Sequence, residues 1–394
     1  MNQKTIADIR KHFKTETDLL TIKTIYNVYI QQENNEIYHE ARTRFAMLEQ
    51  EQQELFFINF KKVLGGKIGS KLFEVRFQRP SEEEVNETQQ ILYDGLHAED
   101  EETWEAYMKE IVTKMTEHIQ YEKDVVVTFI RGQYNKPTKR HSEESEVAER
   151  DEVYTTPFIL CSINQTMQPK RTLTFDFVEK AFKSTFIEDP IINVTSPLGG
   201  FLFPSFTDNA ADVNHIVYAA GKVNKPDFHF IEQVLEGEEF MTAVEDKVVF
   251  EEIVKSVAGE ELDTRTIASV YDEIQAMMEV AAEDDAADSI PMLDTKEVAR
   301  VLKAGGIHDV DVDDVERAFR NVIEDETYEM QASHVVPSYA TKSIKIETKV
   351  ANIAISPQDL RYVRQVRVDG RRCLLIEVEE DTTIEGFTLP LEEL

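Results

Sequence analysis

Two cysteines in 394 residues exclude a disulfide framework, and the absence of any CxxC pair or Cys/His cluster leaves no ligand set for zinc. Cys161 in TPFILCSI and Cys373 in RRCLLIEV each lie inside an apolar, strand-like run, where a thiol behaves as a small buried hydrophobe. No run of 18 apolar residues occurs, and the start MNQKTIADIRKHFK is polar and amphipathic, without the apolar stretch of a secretory signal. The expectation is a soluble cytoplasmic protein with no membrane segment. GxSxG, HExxH and GxGxxG are all missing, which removes the direct reasons for a hydrolase, a zinc protease or a dinucleotide-binding enzyme, and no cofactor is expected. GGKIGSK at 65–71 has neither the spacing nor the strand-then-helix setting of a phosphate loop and reads as a helix end and turn. Asp309, Asp311 and Asp313 stand at calcium-loop spacing. Asp314 then takes the glycine position and Arg320 that of the bidentate glutamate, so the aspartates read as helix-start residues and no metal is expected.

Basic residues are also few: 43 Lys+Arg stand against 76 Asp+Glu, a formal net charge of −33. The excess is uneven. Residues 1–80 hold 13 basic and 10 acidic side chains, whereas residues 232–329 hold 8 and 29. Such a surface repels phosphate backbones at long range, so nucleic acid is an unlikely partner for the whole chain, and the acidic face suits a basic protein. Residues 341–372 reverse the sign with eight basic residues, Arg361, Arg364, Arg367, Arg371 and Arg372 among them, against three acidic ones. Complementarity with the acidic stretch, within one chain or across a homo-oligomer, is the simplest expectation.

The 41% apolar content can fill real cores, and the length allows two or three domains. Helical spacing is expected over 4–14, 49–64, 81–97 and 101–122, a hairpin through QENNE, and a strand at SKLFEVRF. DVVVTFIRG and YTTPFILCSI are continuous apolar runs, the mark of strands covered on both faces. From 228 to 282 the spacing is helical, AEDDAADSIP reads as a linker, and a helical hairpin follows over 294–325. The tail alternates and contains a hairpin turn at Asp369-Gly370. These signals predict an α+β protein: a mixed or antiparallel sheet with packed helices over 1–230, an acidic helical region over 231–330, and a small β-rich domain over 341–394.

One stretch stands apart, GGFLFPSFTDNAADVNHIVYAAGK at 199–222. It reads as an extended strand, a turn at TDNAAD, and a returning strand. Phe201, Phe203 and Ser205 should face one way and Leu202, Pro204 and Phe206 the other, with Pro204 at a sheet edge or bulge. Asp208 and Asp212 flank the turn and His215 starts the return, the only compact set that could act as acid and base or converge on a metal. The alternative is that the aspartates satisfy turn hydrogen bonds. GFLFPSFTDNAAD with IVYAAG, together with IRKHFK near the start and VDGRRCLLIEVEED near the end, resembles the bacterial family known as domain of unknown function 4317. The resemblance implies a cytoplasmic bacterial protein with one long composite fold, and brings no activity or catalytic residue. The function expected is therefore a non-enzymatic interaction or regulatory protein. It would bind a protein partner through its acidic helices and the aromatic hairpin of Phe201, Phe203, Pro204 and Phe206. A metal-dependent hydrolase of a phosphorylated substrate, or an RNA-associated factor using the C-terminal arginines, are the alternatives.

Overall fold

Alternation in the first 44 residues builds the edge of a sheet. The computed structural model describes residues 1, 3–15, 17–79, 85–137, 153–167, 171–186, 189–207, 210–259, 262–283, 291–336, 344–349, 351–378, 383–384 and 387–388. It divides into two units, Met1–Thr242 and Ala243–Leu394. Helix α1 (Gln3–Lys11) precedes strands β1 (Leu20–Gln31) and β2 (Glu36–Arg44), paired antiparallel through the QENNE turn. Helix α2 (Gln50–Val63) leads through GGKIGSK, which is indeed a turn, to β3 (Leu72–Arg76); α3 (Glu87–His97) and α4 (Glu101–His118) follow. The long strands β4 (Val125–Pro137) and β5 (Val153–Met167) are joined through residues 138–152, and the basic loop tip expected there lies outside the described residues. After them come β6 (Arg171–Asp176), β7 (Ala181–Phe186), β8 (Ile191–Ile192), β9 (Gly199–Phe203), β10 (Ser205–Thr207), β11 (Ala210–Asp212), β12 (His215–Ala220) and α5 (Phe228–Gln233).

The main sheet runs β2-β1-β4-β5-β9-β12-β3, with β8 also paired to β5, and every neighbouring pair in it is antiparallel. Helices cover both faces. Trp104, Met108, Ile111 and Met115 of α4 pack with Ile91 and Leu92 of α3 and Phe230 of α5 against Val127, Phe129, Cys161 and Phe201. On the other face Ile6, Ile9, Phe57, Phe60 and Val63 of α1 and α2 meet Ile130, Leu160 and Leu202. The continuous apolar runs of β4 and β5 follow from this position, since a central strand covered on both faces has no solvent side. Burial pushes the Cys161 thiol well up, consistent with a packing role.

The first unit extends past the expected boundary at residue 230. Val234 and Leu235 complete the α3/α4/α5 core, so the division falls after Thr242. The second unit holds α6 (Ala243–Ala258), α7 (Thr264–Glu283), β13 (Met292–Leu293), α8 (Thr295–Ala304), α9 (Val312–Ile323), β14 (Met330–Gln331) and α10 (Ala332–Val335). The helical hairpin forms as read. Asp294 caps α8 by accepting from the Glu297 N–H at 2.7 Å, and Asp311 caps α9 by accepting from that of Asp314 at 2.8 Å. The linker residues 284–290 lie outside the described residues. A buried carboxylate ties the helices together: Asp246 of α6 accepts from the Tyr328 hydroxyl at 2.6 Å and is hydrogen-bonded to His334 Nδ1 of α10.

The β-rich tail belongs to this same unit. It comprises β15 (Ile344–Glu347) with β16 (Asn352–Ile355), a 3-10 helix at Pro357–Tyr362, and β17 (Val363–Val368) with β18 (Arg371–Ile376). Asp369 and Gly370 both take positive φ, 49° and 78°, as the tight hairpin turn requires. Among the described residues no helix is long and apolar enough to cross a membrane.

Candidate functional site

In the 199–222 stretch β9 and β12 pair antiparallel as expected, Val217 with Leu202 and Tyr218 with Phe201, but TDNAAD, read as the turn, carries β11 and the end of β10, which pair with each other. The alternation of the stretch also holds, since Phe201 and Phe203 enter one core and Leu202 and Phe206 the other. The contact surface expected there does not exist. Phe201, Phe203, Pro204 and Phe206 are all buried, because β9 lies between β5 and β12 and not at an edge. Pro204 is accommodated by position. It follows the last ladder pair, Ile159 with Phe203, so its missing N–H breaks no strand pairing. Ser205 beside it is fully buried and donates to the Glu74 carboxylate.

The acidic turn is only partly described, since Asp208 lies outside the described residues. Asp212 closes β11 and makes a turn of its own: one carboxylate oxygen accepts from the Asn214 N–H at 3.0 Å, and the other lies 2.7 Å from His215 Nδ1. Burial pushes the Asp212 carboxyl up, but the Asn214 N–H and the His215 ring outweigh it and hold it below the ordinary range. Arg79 donates to Asn214 Oδ1 at 3.0 Å, and Gln89 to the Val213 carbonyl at 2.9 Å, fixing the turn against the segment after β3 and the start of α3. The Asp212 contacts are turn bonds and those of Arg79 and Gln89 anchor the turn to its neighbours, although the imidazole–carboxylate pair is also the geometry of an oriented general base. No three His, Cys, Asp or Glu among the described residues could hold a metal ion together.

The C-terminal arginines do not share one face. In the β17–β18 register Arg367 stands opposite Arg372, while Arg364 and Arg371, one residue along, point to the other side of the hairpin. Arg364 is paired with Glu377 at 2.7 Å, and the Arg361 guanidinium lies 4.9 Å from the centroid of the Tyr362 ring. Arg364 and Arg371 therefore lie on the opposite face of the hairpin from Arg367 and Arg372.

An exposed aromatic surface occurs instead on β6–β7, which the sequence reading passed over. The two strands pair only with each other among the described residues, with Phe175 opposite Phe182 and Leu173 opposite Ser184. Alternation puts Leu173, Phe175 and Phe182 on one face and Asp176 and Lys183 on the other. The turn is built by Asp176, which accepts from the N–H groups of Val178 at 2.9 Å and Glu179 at 3.0 Å, and by Lys183, which reaches both Asp176 and Glu179. The Lys183 ammonium holds the Asp176 carboxyl below its usual range. This turn leaves Phe177 84% exposed and Val178 92% exposed, with Phe182 at 74%, and the Phe175 ring contacts those of Phe177 and Phe182 at 5.2 Å each. The signal was present in TLTFDFVEKAFKS: apolar residues at every second position, a break at DFVEK, and alternation again.

Residues 1–387 match the profile of the family described as a domain of unknown function, DUF4317. The chain belongs to this family. No curated protein and no solved structure matches it. Membership of DUF4317 over nearly the full length treats the sheet unit and the acidic helical unit as one inherited whole, and it assigns neither of them a chemistry.

Proposed function

We propose that this DUF4317 protein is a non-enzymatic interaction or regulatory protein that binds another protein through the apolar face of β6–β7, assisted by its acidic helices. The observation that supports this most is the exposed cluster of Leu173, Phe175, Phe177, Val178 and Phe182. Two paired strands alone are marginal in water, and large aromatic side chains left in solvent are the typical anchors of protein contacts. The acidic excess of residues 232–329 favours a partner with a basic surface and makes the association salt-dependent.

The test is recovery of the tagged protein from its host at low ionic strength. A protein that co-elutes in fixed ratio and leaves as salt is raised is expected for the wild type. It should be missing from a Phe177→Ser/Phe182→Ser variant of unchanged circular dichroism. A variant that keeps the partner would remove β6–β7 from the contact. Recovery of the wild type alone would move weight to the second reading.

That second reading, a metal-dependent hydrolase of a phosphorylated substrate, is favoured by one observation, the Asp212–His215 hydrogen bond. It requires Mg²⁺ or Mn²⁺ to raise the melting temperature of the wild type and not of Asp212→Asn.

A further inference from the structure

A cavity of about 260 Å³ opens at one end of the first unit's sheet, where β4 and β9 begin and β12 ends, beside the start of α5. An apolar cavity of about 150 Å³ takes benzene, so this one has room for a ring with a short arm. Val125, Ile163 and Phe230 form an apolar part of its wall, and Tyr121 and Tyr218 add two more aromatic rings. Tyr218 and Phe230 lie with ring centroids 5.9 Å apart.

The polar groups are few and unevenly charged. Tyr121 is only 8% exposed, and its hydroxyl is buried without a hydrogen-bond partner. The Tyr218 hydroxyl accepts from the Asp227 N–H at 3.2 Å, which leaves its own proton to donate. Asp227 is exposed at the rim and uses one carboxylate oxygen to cap α5, accepting from the Phe230 N–H at 3.1 Å. Glu122 and Lys123 complete the charged lining, so carboxylates outnumber ammonium groups. Burial pushes both phenols up, Tyr218 to about 12, and the Asp227 charge adds to the rise at each. The phenols therefore stay neutral.

We propose that this cavity binds a small organic ammonium ion, with an apolar or aromatic body against Val125, Ile163 and Phe230 and its positive charge beside the Asp227 carboxylate, donating to the unpartnered Tyr121 hydroxyl oxygen. The carboxylate attracts a cation and repels an anion, and a phenol oxygen without a partner accepts from an ammonium N–H. A neutral molecule of the same shape would lack the attraction to the carboxylate.

Three probes of one shape separate these outcomes in calorimetric titrations of the full-length protein: phenethylamine, 2-phenylethanol and 3-phenylpropanoate. The amine is expected to bind at least about tenfold more tightly than the alcohol, and the carboxylate to bind least. Asp227→Asn keeps the helix cap, because Asn caps as well as Asp, and should reduce the amine to the affinity of the alcohol. Tyr121→Phe removes a buried hydroxyl that has no partner, so the fold should be kept, and it serves as a second variant in which amine binding weakens. Equal binding of amine and alcohol, tighter binding of the carboxylate, or no binding of any probe would overturn the proposal.

Discussion

At Gly200 the sheet leaves no room for a side chain, since a Cβ there would lie 2.2 Å from the Cys161 carbonyl oxygen on the neighbouring strand. The second glycine of GGFLFP is thus explained by close approach of β9 to β5, and needs no ligand. Glu40 shows how a single carboxylate sets the acid limit of the same unit. The Lys109 ammonium at 2.7 Å and the Tyr26 hydroxyl at 2.7 Å hold it below the ordinary glutamate range, against a smaller opposing effect of burial. A carboxyl with a depressed folded value stabilises fully above its unfolded value, about 4.3, and that contribution is lost as pH falls through the folded value. Glu40→Gln should therefore be less stable than wild type near neutrality, and the gap should shrink as urea unfolding is repeated below about pH 4.3. A gap that stays constant with pH would show that the ion pair is not its source.

Between elements, the aromatic hairpin that the sequence marked as a surface is buried, and an exposed aromatic one lies at β6–β7. Phe201 on β9 is fully buried between β5 and β12, so Phe201→Ala should cost about 3–5 kcal/mol of stability in denaturant unfolding. Phe177 in the β6–β7 turn is almost wholly exposed, and Phe177→Ser should change that stability by less than about 0.5 kcal/mol. The reverse ranking would mean that β6–β7 is part of the core. Local patterns were legible: β1 with β2 through QENNE, β9 with β12, the helix start at Asp311 and the Asp369-Gly370 turn. Period two says that a strand has two faces but not what covers them. For that reason GFLFP, whose two faces are both apolar, was legible as a strand and not as a central one. The arginines follow the same alternation, since Arg364 and Arg367 stand three residues apart on β17 and so point to opposite faces, while the register of β17 on β18 adds that Arg367 lies opposite Arg372. Contacts closed over long separations left no local trace. Asp246 meets His334 across 88 residues, and the cavity draws Tyr121, Tyr218 and Asp227 from different parts of the chain.

At the scale of the molecule, charge is the feature the composition stated most directly. Residues 232–329 carry 8 basic against 29 acidic side chains, so −21 of the net −33 is concentrated there and repels itself, and salt relieves that repulsion as the screening length falls from about 30 Å at 0.01 M to about 8 Å at 0.15 M. The melting transition of the second unit should move upward across that range in differential scanning calorimetry. A fall would show that its ion pairs, such as Arg320 with Glu326 and Arg300 with Glu297, outweigh the repulsion. The two faces of β6–β7 also bear on how copies of the chain meet in a crowded cell. One is apolar and the other carries Lys183 with Asp176. Two such hairpins closing apolar face on apolar face would present charge outward on both sides, which makes a self-limiting pair, whereas a hairpin apolar on both faces would stack without end.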